Sequence, residues 1–218
     1  VQPLSDTGDP LIAAFPIALA RDAEAVRAVM PASRFRPHAP FPVVVEGRQV
    51  SIPGRLYNDE PPPEAVASLS PRQRQLLHCL YSRHHDGKVR QRHLEKVVGC
   101  TDSWVVPFVL QLVGEYVVEI LAVILDELRE LAAPGTDGHL AFGRFIVDNP
   151  AFFARTQRRV VSYYSLYYAH DYASRDYPGF ALLDVLRSAA SDTAGRPWPD
   201  LAPVAVRVNG NHEALTGY

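Results

Sequence analysis

Cysteine is scarce in this chain. Only Cys79 and Cys100 occur in 218 residues, and they form no Cys-x-x-Cys pair. That density excludes a disulfide-stapled scaffold. Each lies on or beside an apolar helical stretch, so both are expected as reduced thiols in a cytoplasmic protein. An excess of charge of one sign is also missing. The 22 basic and 24 acidic side chains leave a net charge of -2, so the chain as a whole is no polyanion binder. A phosphate loop, a dinucleotide fingerprint, a nucleophile elbow and a zinc-type ligand spacing are all absent. There is no repeat of solenoid length, and no charged n-region leads into an apolar segment near Val1, so no signal peptide is expected. These absences remove the enzyme classes that sequence motifs identify, and neither a cofactor nor a metal is expected.

Apolar residues are plentiful at 47%, enough for one globular domain or a domain with an appendage. Their longest run is WVVPFVLQLVGEYVVEILAVIL, from Trp104 to Leu125. It passes the roughly 20 residues that a membrane span needs. Gln111, Glu115 and Glu119 sit in its middle, however, and each acid would cost about 2.5–3.5 kcal/mol at the bilayer centre. The run therefore reads as a buried helix of a soluble protein, with no membrane contact. It is capped by Thr101, Asp102 and Ser103, and continues to about Leu131. A helix apolar on every face belongs in the interior. The expected fold is mainly α: a helical domain packed around one long buried central helix, with a small β-hairpin in an N-terminal extension.

Punctuation divides the chain further. Asp9-Pro10 starts a helix that runs to Met30 and is bent or broken at Pro16. Two β-branched runs flank Glu46-Gly47-Arg48 within 43–52, a hairpin signal. The connector NDEPPP, Asn58 to Pro63, is the expected boundary, giving an extension over 1–63, a helical core over 64–190, and a loop with a short strand over 191–218. Ser70-Pro71 opens a helix to about His84. Asp86-Gly87 turns into a second, from Lys88 to Val98. Further helices are expected at 139–147, 150–172 and 179–190. The alternation Val204 to Val208 suggests a strand able to join the hairpin.

Glu115 and Glu119 are the sharpest candidates for chemistry. Buried carboxylates must be paired or neutralised. His78 and His93 on neighbouring antiparallel helices are expected to meet them, with counter-charge from Arg90, Arg92, Arg155, Arg158 or Arg159, either as a register-fixing network or as a small-ligand site. His78, His84, His85 and His93 are not expected to bind metal, because their spacing does not converge tetrahedrally. The stretch 70–98 carries Arg72, Arg74, Arg83, Lys88, Arg90, Arg92 and Lys96 against Asp86 and Glu95. Its outline of helix, turn, helix resembles a helix-turn-helix unit. The next helix opens with Trp104, Val105, Val106, Phe108 and Val109, which offers base edges nothing, so sequence-specific DNA binding is not expected.

Six tyrosines fall between Val160 and Phe180. Tyr163 with Tyr167, and Tyr164 with Tyr168 and Tyr172, form two stripes at helical spacing. With Arg155 and Arg159 nearby, Tyr164 and Tyr168 are the expected contact of a homodimer. The leading expectation is thus a non-catalytic interaction or regulatory protein that self-associates. The alternative is an enzyme or small-ligand binder using Glu115 and Glu119 with His, Arg and Tyr. The third is a nucleic-acid-binding protein using the basic helices over 70–98.

Overall fold

A computed structural model describes residues 9–33, 35–38 and 40–201. The strand expected at 204–208 lies outside the described residues. The fold is mainly α with a two-stranded antiparallel hairpin, and the chain divides into two compact units, the first ending at Phe108 and the second beginning at Val109.

In the first unit, Asp9 anchors the start: its carboxylate accepts from Leu11 N at 2.9 Å and from Arg27 Nε at 2.7 Å. The helix expected from Pro10 to Met30 is divided. Pro16, with no N–H to give, separates a turn from a short 3₁₀ segment, and α1 spans Ala20–Val29. The hairpin pairs β1 (Phe41–Val45) with β2 (Arg48–Ile52), Val43 opposite Val50. Glu46 and Gly47 both take positive φ, 51° and 73°, the backbone that a tight two-residue hairpin turn demands. Val43, Val45, Val50 and Ile52 bury one face of the ribbon. Ser51 N donates to Ala13 O at 3.0 Å and ties the ribbon to the N-terminal turn. An isolated hairpin is marginal; this one is held by that bond and by its apolar face.

The connector at 58–63 lies inside this unit, where Asn58 Nδ2 donates to Pro31 O at 2.8 Å. It leads into a short helix the sequence did not suggest, α2 (Pro63–Ala67). Ser70 and Gln73 form a reciprocal capping box on α3 (Pro71–Tyr81). Asp86 caps α4 (Gly87–Leu94), accepting from Lys88 N at 2.7 Å. Two arginines are almost fully buried between these elements. Arg83 Nη2 donates to Gly54 O at 2.8 Å. Arg90 Nη1 donates to His84 O and His85 O, each at 2.9 Å. Both bind main-chain carbonyls, so they fix loops in place.

The single helix expected over 104–131 is two: α5 (Val106–Val113) and α6 (Val118–Leu131). The interruption starts at Gly114, which costs about 1 kcal/mol against alanine inside a helix. It ends at Val117, whose backbone is extended at φ -90° and ψ 106°. Val105 to Val113 are buried, as are Ile120, Leu121, Ile124 and Leu128, so the apolar run does form core. No helix among the described residues is long and apolar enough to cross a membrane.

In the second unit, α7 (Asp137–Asp148) packs with α6, α8 (Pro150–Tyr163) and α9 (Pro178–Ala194), and α9 also packs on α6 and α8. The last helix runs past the expected end at 190 and closes on Gly195, in the left-handed conformation at φ 64°. Gly143 allows α7 and α9 to touch: a Cβ there would clash with Ala189 O. The buried His139 bridges the same pair, with Nδ1 3.0 Å from Ala132 O and Nε2 2.8 Å from Asp192 Oδ2. Asn149 precedes α8 as expected, but its side chain turns back and donates to Phe145 O at 2.9 Å.

Candidate functional site

Among the described residues, the densest chemistry lies in the first unit, where α2, α3, α4 and the 58–63 connector border an open cleft of about 480 Å³. Leu77, Val66, Ala67, Pro61 and Pro63 give it apolar walls; Arg74, Arg92 and Lys96 stand around it; Glu60, His78 and His93 complete the lining. Helical spacing explains the placement. Leu77, His78 and Tyr81 follow one another around α3, while Arg92 and His93 end α4. The prolines after Glu60 restrict the connector's backbone, so the carboxylate is presented from a stiff strap. Tyr81 secures that strap by donating its hydroxyl to Asp59 O at 2.6 Å. Its ring stacks on His93 at 5.0 Å and 27°.

Three side chains form a continuous hydrogen-bonded chain. Glu60 Oε1 lies 2.8 Å from His93 Nε2, and His93 Nδ1 lies 2.9 Å from His78 Nδ1. Arg92 Nη2 donates to the other carboxylate oxygen at 2.5 Å. An ionised carboxylate only accepts, so His93 Nε2 must carry a proton. With His93 neutral, its Nδ1 is then the acceptor and His78 Nδ1 the donor. His78 Nε2 is left with a basic lone pair.

The electrostatics favour that neutral arrangement. Burial pushes His78 down to about 4, helped by the positive fields of His93, Lys96 and Arg74. His93 is lowered by burial too, although its bond to Glu60 pulls the other way. For Glu60, burial works to raise the carboxyl, but His93 and Arg92 together hold it below its ordinary value. The arrangement therefore offers a proton acceptor at His78 Nε2, the cations Arg74 and Lys96 beside the Glu60-paired Arg92, and apolar walls. Among the described residues, no group of three or more His, Cys, Asp or Glu side chains is arranged to hold a metal. A second cleft of about 450 Å³, beside Phe35 and Asn58, has less to offer, since its Asp9 and Arg27 are engaged with each other at 2.7 Å.

Of the residues the sequence singled out, His78, His93 and Arg92 come together here. Arg90 does not: it is buried, and its guanidinium serves the His84 and His85 carbonyls. The carboxylate on His93 is Glu60, which in sequence is one residue of the polar connector 58–63. A charged residue next to a proline run is held in one place, and that was the available signal. Glu115 and Glu119 belong to the second unit. Glu115 is buried, with 5% of its surface exposed, whereas Glu119 is in the first turn of α6 and exposed.

The tyrosine stripes also sort differently. α8 stops at Tyr163, and Tyr164–Tyr168 form a π-helical turn closed by Ala169 N to Tyr164 O at 2.9 Å. The wider turn changes the register beyond Tyr163. Tyr164, expected at an interface, is buried against Tyr177 and Phe180 and donates to Tyr172 O at 3.0 Å. Tyr168 is half-buried and donates to Tyr116 O. The outward surface is Tyr116, Leu166 and Tyr167, at 51%, 69% and 57% exposure. Tyr163 lies between Tyr116 and Tyr167, with ring centroids 6.1 and 6.2 Å away. Arg155 and Arg159 are exposed on α8. No family model, curated protein or solved structure matches this chain.

Proposed function

We propose that the first unit is a non-catalytic binding module for a small organic anion, held in the cleft of Glu60, His78 and His93. The observation that carries this reading is the junction of three features: apolar walls, the cations Arg74, Arg92 and Lys96, and an imidazole with a free lone pair. Ligand sites commonly combine apolar walls with a few convergent polar groups. A carboxylate set between Arg74 and Lys96 would leave its hydrocarbon body on Leu77, Val66 and Pro63. A reducing compartment such as the cytoplasm suits the two free thiols, Cys79 and Cys100. The test is titration of the intact chain with octanoate, read by amide shifts. Shifts should concentrate on α2, α3 and the end of α4. Changing both Arg74 and Lys96 to Ala should weaken binding at least about tenfold, equivalent to roughly 1.4 kcal/mol. Shifts spread evenly over the surface would remove the reading.

A second reading is self-association through the second unit. It is supported by the exposed side chains of Tyr116, Leu166 and Tyr167, the two tyrosine rings lying 6.3 Å apart, because exposed Tyr-rich apolar groups are typical interface anchors. Arg155 and Arg159 remain the proposed polar rim of a homodimer.

A further inference from the structure

Resting on the anion-binding reading, we propose that the cleft takes its organic acid together with one proton, which the chain His78–His93–Glu60 accepts. Three observations lead there. The relay is continuous, with 2.9 and 2.8 Å contacts. Its open end, His78, lines the cleft and its closed end is a carboxylate. Burial is the main influence that keeps His78 neutral, and two of the cations that flank the cleft, Lys96 and Arg74, add to it.

The charged groups facing the pair come from every side. The connector contributes Glu60, α3 contributes Arg74, and α4 with its following turn contributes Arg92 and Lys96. α2 faces the cleft with Pro63, Val66 and Ala67, which carry no charge. Arg27 of α1 and Asp59 act on Tyr81, the ring stacked on His93.

The proton balance is simple. A proton from solvent forms an N–H bond at His78 Nε2. The proton on His78 Nδ1 passes to His93 Nδ1, across the hydrogen bond that already joins them. His93 becomes an imidazolium, with Nε2–H still on Glu60 and Nδ1–H donating to His78. One proton is gained and no electrons move. The positive charge ends beside the Glu60 carboxylate, and His78 Nε2–H points its new donor at the bound anion. An anion between Arg74 and Lys96 offsets their repulsion of that added charge. Protonation therefore becomes more favourable when the cleft is filled, and by linkage the acid binds more tightly as pH falls. The committed occupant is a monoanionic acid with an apolar body.

The experiment is calorimetric titration of the full chain with octanoate at about pH 6 and about pH 8, in two buffers of different ionisation enthalpy, with octanamide as the neutral control. The expected result is uptake approaching one proton at the lower pH, with affinity rising up to about tenfold per pH unit. Octanamide should take up none. His78→Gln should bind octanoate more weakly, through Arg74 and Lys96 without the His78 donor, and should lose the uptake and the pH slope; His93→Gln should reduce both. Octanoate binding with no proton uptake and a flat pH profile would overturn the proton inference and leave the anion site standing. Absence of any binding at either pH would overturn both.

Discussion

Arg90→Met removes the guanidinium that fixes the turn between α3 and α4 while keeping most of the side-chain volume. Arg90 Nη1 serves two carbonyls, His84 O and His85 O, each at 2.9 Å, and the residue is 2% exposed. Hydrogen bonds from a charged donor contribute about 1.5–3 kcal/mol each. His85 is exposed, so its carbonyl regains water on loss of the donor and forfeits little. Removing a buried charge also recovers desolvation energy, and methionine keeps the apolar contacts of the stem. The larger loss is at His84 O, in a buried residue, and the net cost should be about 2–4 kcal/mol. Because the chain has two compact units, a single global midpoint would blur the result. Urea unfolding should instead be followed on amides of α3 and α4. Those residues should lose the stated free energy while α7 and α9 are unchanged. A cost under about 0.5 kcal/mol, within the range of ordinary surface substitutions, would refute the clamp and return Arg90 to the ligand-contacting surface.

Gly143→Val should destabilise the second unit by about 3 kcal/mol, the upper part of the usual overpacking range, since even a Cβ there would clash with Ala189 O and Thr193 Oγ1; thermal unfolding that matches the unmodified chain would contradict the close helix contact. Acid should weaken the first unit. The ordinary value for His78 is 6.5 and the folded one about 4, so between those values the unfolded chain binds the extra proton and stability falls as pH falls. Glu60, also lowered on folding, adds loss in the same direction below its ordinary 4.5; His78→Phe should flatten the upper part of the profile, measured by urea midpoints across pH. Changing Leu166 and Tyr167 to Ala should convert a sedimenting dimer to monomer, whereas Tyr164→Ala should lower stability instead. A monomeric unmodified chain at micromolar concentration would remove the homodimer reading.

Local signals in the sequence located most elements. Ser70-Pro71, Asp86-Gly87 and Pro178 each stand where a helix starts, because capping chemistry is contained within a few residues. The hairpin was readable from Val43, Val45, Val50 and Ile52 around a glycine turn for the same reason. What the sequence did not disclose depends on distant partners. An apolar pattern interrupted only by Glu115 runs through Gly114 to Val118, yet the helix opens there, and Arg159 packs over Gly114, with its Cδ 3.3 Å from where a Cβ would be. The tyrosine stripes presumed a 3.6-residue period that the π-helical turn at 164–168 breaks. Glu60 looked like part of a solvated linker, since nothing local marks its bond to His93, 33 residues away. In sequence Arg90 reads as a counter-charge for Glu115 and Glu119, because a side chain that binds main-chain carbonyls leaves no complementary acid to show where it goes.

The most direct measurement is a long-range ¹⁵N–¹H NMR experiment on the histidine rings of the unliganded chain near pH 7, which reads the tautomer of each imidazole. The account predicts neutral rings at both positions, with the proton on Nε2 for His93 and on Nδ1 for His78. An Nε2–H tautomer at His78, or a ring titrating at its ordinary 6.5 like a free imidazole, would contradict the Glu60–His93–His78 chain on which the candidate site depends.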